Sequence, residues 1–363
     1  MLALQAVPVQ AEEDPMDADQ PVFTVSAINT TDVLANVKGG LHAGARVLDK
    51  FEGGIRFLGN AQFWPGVSAF LTVQGTDATA FSENLVGDLQ NVSNLNGPAG
   101  LRLSNAWVAK TFGGTSGVKA GIIDLNSEFD VQTIAALFLN ASHGIGLDYS
   151  QSGLNGPDIF PSYGLGVVGW GLMSEHWQWK SGIFEGTPGN PANPGAPQFM
   201  LSGSEGALLT LEIRNRPSAD TVIGLGGWFY TASFDALESG PLGPARVHGN
   251  AGVYGLFETS LFTPENSDRA GLKGWIRDGI ADPRINAVDF YTGGGLVYDG
   301  PWGRPADQIG FAVAYAHFGA HARRAAEAVG VQMFAARDES GFAAAFERAW
   351  RANEPTLIDA HVT

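Results

Sequence analysis

The sequence predicts an all-β, antiparallel transmembrane β-barrel, and three observations carry that expectation. Apolar and polar residues alternate with period two through most of the chain, as strands with one polar face require. No run of about 18 apolar residues is present to make a membrane helix, yet 44% of the residues are hydrophobic and the mean hydropathy is balanced. Barrels have this profile because only alternate residues meet lipid. Finally, tight turns alternate with long loops along the chain.

The strand pattern is clearest in LLTLEIRNR (208–216), where Leu209, Leu211 and Ile213 point one way and Thr210, Glu212 and Arg214 the other. In DQIGFAVAYAHF (307–318), Ile309, Phe311, Val313 and Tyr315 share one face while Gly310, Ala312 and Ala314 share the other. Similar segments lie near 50–58, 66–75, 103–112, 117–124, 164–172, 175–184, 220–232, 250–262, 269–278 and 286–298. A soluble sandwich also alternates, so the connections must separate the two. GGTSG (113–117) and NRPSAD (215–220) read as tight turns, whereas 125–163, 185–205 and 233–249 read as long loops rich in Gly, Pro, Asn and Ser. Short turns on one side and long loops on the other are the habit of outer-membrane barrels. Phe112, Trp170, Trp228, Tyr230, Phe262 and Trp302 fall near strand ends, where interfacial girdles stand. Glycines in GLGGWFYTA (224–232) and YTGGGLVYD (291–299) weaken an ordinary strand but are tolerable facing an open lumen.

The two ends read differently. LALQAVPVQAEEDP (2–15) is apolar and then acidic, like the end of an export signal cut near Ala11. Residues 1–32 are therefore expected to be a signal remnant and leader, 33–324 the barrel, and 325–363 a helix–strand tail. In the tail Asp338 or Ser340 is placed to cap a helix with Phe342, Ala345, Phe346 and Ala349 on one stripe. Pro355 ends it, and Thr356–Val362 reads as a short strand.

Composition removes several functions. Acidic residues outnumber basic ones 37 to 21, for a formal charge of −16, which repels nucleic acid and anionic headgroups. The absence of cysteine excludes disulfides, Cys-ligated zinc and cysteine nucleophiles.

LNASHGIGLDYSQSGLNGP (139–157) places Ser142, His143 and Asp148 on one glycine-broken loop, which invites a catalytic reading. Adjacent side chains diverge on extended backbone, however, and no Gly-x-Ser-x-Gly elbow surrounds Ser142. The plainer reading is a structured loop in which His143 hydrogen-bonds while Gly144 and Gly146 permit tight turns. An outer-membrane hydrolase using this Ser/His loop is one alternative, and a soluble lectin-like β-sandwich is another. Asp124, Glu128, Asp130, His143 and Asp148 offer metal-binding groups, but neither EF-hand nor H-E-x-x-H spacing is present. No metal, cofactor or catalysis is expected.

Five stretches then follow one another in order: FSENLVGDLQNVSNL (81–95), LRLSNAWV (101–108), AGIIDLNSEFDV (120–131), LFLNASHGIGLDYSQSGLNGPDIFPSYGLGV (137–167) and GIFEGTPGNP (182–191). Together they closely resemble the carbohydrate-selective porin family of the OprB type, over roughly 33–324. The resemblance implies a 16-stranded outer-membrane barrel, set in outer-membrane lipid. It admits glucose-like mono- and oligosaccharides by passive diffusion, with no nucleic acid and no cofactor; monomer and trimer both stay open. In such barrels loops fold inward to narrow the pore, and 124–160 is the stretch implied here.

A sugar-selective pore must replace several water contacts without holding its cargo long. Charged groups bond hydroxyls strongly and aromatic rings cover the apolar sugar face. The polar candidates are Arg102, Glu128, Asp130, Asn140, His143, Asp148, Glu212 and Arg214, and the aromatic ones Trp107, Phe129 and Phe138. Two features depart from the family pattern. Only about twelve strand candidates are found, against the 16 strands that the resemblance implies. Residues 326–363 resemble the C-terminal helix and strand of thiamine-diphosphate-dependent enzymes of the acetolactate synthase type, which implies a tail foreign to the barrel.

Overall fold

The computed structural model describes residues 23–77, 80–190, 206–240, 243–264, 270–304 and 306–328, with the backbone of a few helical and strand residues beyond. Thirteen antiparallel strands form one sheet in strict sequence order. They are β1 (Phe23–Asn36), β2 (Gly44–Leu58), β3 (Val67–Thr76), β4 (Gly100–Phe112), β5 (Ser116–Ile123), β6 (Gly164–Leu172) and β7 (Trp177–Glu185). The series continues with β8 (Ala207–Ser218), β9 (Thr221–Gly240), β10 (Gly243–Phe262), β11 (Gly271–Ala281), β12 (Val288–Asp299) and β13 (Gln308–Phe318). Every strand pairs with its sequence neighbour, the up-and-down order of a barrel wall. Among the described residues β1 and β13 are its two edges, so the wall is not closed.

The alternation decides which way this wall faces. Leu209, Leu211, Ile223, Leu225, Val253, Ile276, Ile280, Phe311 and Val313 all stand exposed on the outer side. Thr210, Glu212, Asn250, Glu258 and Arg277 are buried on the inner side. A water-soluble sandwich has the reverse arrangement, so the soluble lectin-like alternative is overturned: a continuous apolar outer band is not tolerated in water.

Three expectations are corrected by the wall itself. The barrel begins at Phe23, ahead of the boundary at 33, because fourteen residues of β1 pair in unbroken register with β2. Alternation is weak there, with Thr24, Ser26, Thr30 and Thr31 diluting it, but backbone pairing needs no apolar face. Residues 233–240 and 243–249 are strand, not loop. β9 and β10 carry on through these residues as a long hairpin of 20-residue strands, with register shifts absorbing its irregularities. Strand glycines do not face empty lumen either. A Cβ at Gly226 would sit 2.2 Å from the Tyr254 ring, and one at Gly252 would sit 2.3 Å from Trp228. These glycines let large aromatic rings lie flat on the inner wall.

The girdle residues also divide. Phe112, Phe262 and Trp302 are exposed at the turn end, beside Phe63, Trp64 and Trp177. Trp228 and Tyr230 are instead buried, and Trp170 packs partly buried against the same cluster. Trp228 stacks on Tyr149 and the Tyr230 hydroxyl pairs with Ser152, both on the long connection between β5 and β6.

That connection, residues 124–163, is the core of the molecule. It folds as short 3-10 turns and one brief helix, α1 (Leu147–Ser150), with Leu125, Phe129, Ile145 and Tyr149 buried against Phe184, Leu208, Trp228 and Tyr254 of the wall. Phe129 meets Phe184 edge-on at 6.1 Å, and Tyr149 stacks on Trp228 at 5.3 Å. Full burial of two such aromatic side chains contributes about 1.5–3 kcal/mol each to holding the loop.

After β13, helix α2 (Ala320–Ala328) rests on the long hairpin through His321 and Arg324, both against Glu238. Strands β14 (Gln332–Ala336) and β15 (Thr356–Ala360) pair parallel in a two-stranded sheet of their own. The export-signal reading of residues 1–15, most of the 185–205 loop, and Asp338, Ser340, Phe342, Ala345, Phe346 and Ala349 lie outside the described residues or side chains.

Candidate functional site

The loop between β5 and β6 is fastened to the inner wall by three polar anchors. At its start Glu128 lies between Lys119 of β5 and Lys180 of β7, the second at 2.8 Å. Next, the backbone N–H of Asp130 donates to Glu212 Oε2 at 2.9 Å, and the Tyr254 hydroxyl donates to the same oxygen at 2.7 Å. Arg214 pairs with the other oxygen of Glu212. The third anchor is Arg277 of β11, whose Nη2 donates to Asp130 Oδ2 at 2.7 Å while Nη1 pairs with Asp148. The guanidinium lies over Tyr254 and Tyr291, at 5.1 and 5.5 Å from their ring centres.

Two glycines create the space for this last pair. A Cβ at Gly146 would sit 2.1 Å from Arg277 Nη1, and one at Gly279 would sit 2.2 Å from Asp148 Oδ2. Gly146 was expected to serve a tight turn, and so was Gly144. Both have ordinary negative φ angles, −64° and −76°; at Gly146 the requirement is close approach, not handedness.

Further contacts finish the attachment. Ile134 N–H donates to Glu258 Oε2 at 3.1 Å, and Gln132 Nε2 reaches the carbonyls of Phe257 and Ile276. The Tyr291 hydroxyl donates to the carbonyl of Ser142 at 2.7 Å.

The sequence candidates therefore separate into groups. Asp130, Asp148, Glu212 and Arg214 converge on the Arg277–Tyr254 cluster, where Glu212 is 1% and Arg277 3% exposed. Phe129 and Glu128 sit beside it, both buried. Phe138, Asn140 and His143 make a second patch, with the His143 ring 5.1 Å from Trp275 and 5.6 Å from Phe138. Arg102 is apart from both: it donates to Thr76 Oγ1 at 2.7 Å and to the Pro98 carbonyl, with Phe160 beneath it. Trp107 is buried under Lys119, whose Nζ is 4.1 Å from its ring centre.

The Ser–His idea fails on geometry. Ser142 Oγ donates to Gln90 Oε1 and Asn140 Oδ1, not to His143. The hydrogen-bonding reading of His143 fails as well: its buried Nδ1 has no partner among the described residues. Burial pushes the imidazole pKa down to about 4, so it is neutral at physiological pH. The folded state thus refuses a proton that the unfolded chain accepts below its ordinary value of 6.5. This group's contribution to stability is present above that value and falls away as pH drops towards 4. His143→Phe is expected to make the melting temperature less steep between those two pH values, as read by thermal scans.

Asp158 gives the opposite sign. It is fully buried, and both its oxygens lack a partner among the described residues. Burial, helped by Glu185 nearby, pushes its carboxyl well above the carboxylate range. The folded state then keeps a proton that the unfolded state releases, so stability falls as pH rises above the unfolded pKa. Asp158→Asn is expected to raise the melting temperature at neutral pH and to leave it nearly unchanged near pH ~3.5, below the ordinary carboxylate pKa.

The sequence reading missed two sets of residues. Arg277 is one. The other is the inner row of β2, where Lys50, Glu52 and Arg56 alternate with exposed Phe51 and Ile55. Lys50 pairs with Glu52 at 3.1 Å, and Glu52 accepts from Gln74, which in turn accepts from the Tyr163 hydroxyl of the loop. The row reaches the loop through this chain of hydrogen bonds, and all three side chains stay partly exposed. Two open cavities complete the site. One, of about 550 Å³, is lined by Asn140, His143 and the small inner residues of β13. The other, of about 520 Å³, lies between residues 89–96 and the 124–162 loop.

A wall that is apolar outside and polar inside, with a loop fastened to its inner face, defines a membrane β-barrel of the porin kind. The sequence matches the family "Carbohydrate-selective porin, OprB family" over residues 49–352. The chain belongs to that family, and it is an outer-membrane carbohydrate porin. It is 26% identical over 316 residues to Porin B of Pseudomonas aeruginosa, covering 79% of this chain and 68% of that protein. The solved high-pH structure of Pseudomonas putida OprB superposes with a TM-score of 0.73 at 22% identity, over 84% of this chain and 77% of the other. The low-pH structure of the same protein gives 0.46 at 15% identity, over 81% and 74%. The family match runs past residue 324, the expected end of the barrel, and does not support the likeness of the tail to thiamine-diphosphate enzymes.

Proposed function

We propose that glucose-like mono- and oligosaccharides cross this channel between the Lys50–Glu52–Arg56 row of β2 and the fastened loop, with Asn140 and His143 at the loop's open margin. The observation that carries the reading is the partial exposure of that charged row, beside a loop whose Glu128, Asp130 and Asp148 are taken up by Lys119, Lys180 and Arg277. Opposite charges side by side bond hydroxyls strongly while leaving no large net field to trap an ion. On this reading Asp130, Asp148, Glu212, Arg214, Glu128 and Phe129 shape the passage by holding the loop. Arg102 and Trp107 hold the β3–β4 connection and the wall. The apolar outer face would meet lipid acyl chains.

Swelling of liposomes carrying the reconstituted protein tests it. Rates should decline from mono- to tri-saccharides and exceed those for charged solutes of equal size. Equal rates for sugars and size-matched ions would sink sugar preference. Lys50→Met with Arg56→Met should reduce the sugar rate several-fold while leaving the fold intact.

Residues 325–363 are further proposed to form a unit of their own, which the separate parallel pair β14–β15 supports. A chain ending at 324 should then keep the melting temperature of the whole.

A further inference from the structure

The second cavity, between the two loops, has no part in the passage just described. Its framework is tied in place at three points. Ser142 Oγ donates to Gln90 Oε1 at 2.9 Å, Asn94 N–H donates to the Leu139 carbonyl at 2.9 Å, and Ala141 N–H donates to the Asn91 carbonyl at 3.2 Å. Its lining sets seven amides among apolar side chains such as Leu89, Leu154, Ile159 and Phe160. Gln90, Asn91, Asn94, Asn126 and Gln151 surround it, with Asp124 as the ionisable member of the lining.

These amides are not all spent on the fold. Among the described residues the side chains of Asn91, Asn94 and Gln151 make no hydrogen bond. Asn126 uses its Nδ2 on the carbonyls of Phe129 and Gly144, at 3.2 and 3.0 Å, which leaves Oδ1 to accept. Asp124 Oδ1 accepts the Asn126 N–H at 3.0 Å, leaving its second oxygen.

We propose that this cavity is a holding site for one neutral sugar at the mouth of the channel. Each free amide offers two donors and an acceptor, and the remaining oxygens accept. That interleaving matches vicinal hydroxyls, which donate and accept from adjacent carbons. An anion would meet the Asp124 carboxylate and no lysine or arginine of the lining, while a cation would meet that single carboxylate. The cavity volume of about 520 Å³ suits one or two sugar rings. A framework already tied together needs little ordering when the ligand arrives, and an open mouth keeps release fast. Such a site raises the local concentration of sugar above the passage.

The inference rests on the sugar-passage reading, and the two are separated by using two assays. The full chain in detergent is dialysed against radiolabelled glucose, beside Asn94→Leu/Gln151→Leu and the single variant Gln151→Ala. The wild type should bind one glucose saturably, with the dissociation constant rising about tenfold in the double variant and about threefold in the single one, from loss of hydrogen bonds worth about 0.5–1.5 kcal/mol each. Both substituted side chains are exposed on loops, and unchanged melting temperatures would confirm that the variants fold. Equal binding by wild type and variants, or no saturable binding, overturns the holding site even when liposomes remain sugar-permeable. Absence of sugar permeation with binding intact overturns the passage reading instead.

Discussion

Arg277→Met is expected to destabilise the protein by about 3–5 kcal/mol, the cost of removing one partner from a buried ion pair. The charge lost is the cation shared by Asp130 and Asp148, and both carboxylates would remain buried beneath the loop. In planar bilayers the loop should detach intermittently, giving larger and noisier conductance with weaker discrimination between sugars. Adding Asp130→Asn and Asp148→Asn to the same chain should recover much of the stability, because no uncompensated charge is left. Non-additivity of this kind is what coupled neighbours show. Unchanged melting and quiet channels in Arg277→Met would mean that the loop is held by its aromatic contacts alone.

Leu211→Arg is expected to cost about 2–4 kcal/mol, the price of a cation on the lipid face near the bilayer midplane. Leu211 lies near the middle of β8 and is 49% exposed, so in a water-soluble protein the same change would be almost neutral. Denaturant titration from vesicles reads the difference, with Glu175→Arg in the turn between β6 and β7 as a control expected to stay within about 0.5 kcal/mol. A neutral Leu211→Arg would place the outer face in water and remove the membrane reading.

Much of the wall was legible because a strand writes its two faces into every second residue. Twelve of the strands fall near the segments marked by alternation, and β6 does so at both ends. β1 escaped because its polar residues blur the period, and the upper part of the β9–β10 hairpin escaped because glycine and proline there read as loop. Strand existence depends on pairing with a neighbour, and composition reports that only indirectly. The loop was legible as a motif, and as something other than a catalytic centre. Ser142 lacked the backbone setting of a nucleophile, and the hydrogen bonds to Gln90 and Asn140 explain its polarity instead.

The residue that holds the loop could not be read. Arg277 meets Asp130 across 147 positions and Asp148 across 129, and no local period encodes a contact of that range. The faint signal was an arginine on the face of LKGWIRDGIA opposite Ile276 and Ile280. The β2 row gave a similar one, with Lys50, Glu52 and Arg56 at alternate positions.

By itself, then, the sequence determined the material of the wall and its two faces, since side-chain alternation is a property of each strand alone. It also determined the family, through ordered motifs. The tertiary structure decided where each polar group is spent: which acids of the loop are neutralised, which amides remain free, and which charges of the inner face stay partly exposed. Those outcomes depend on the distance between groups remote in the chain, because Coulomb and hydrogen-bond energies act through space and fall off within a few ångströms.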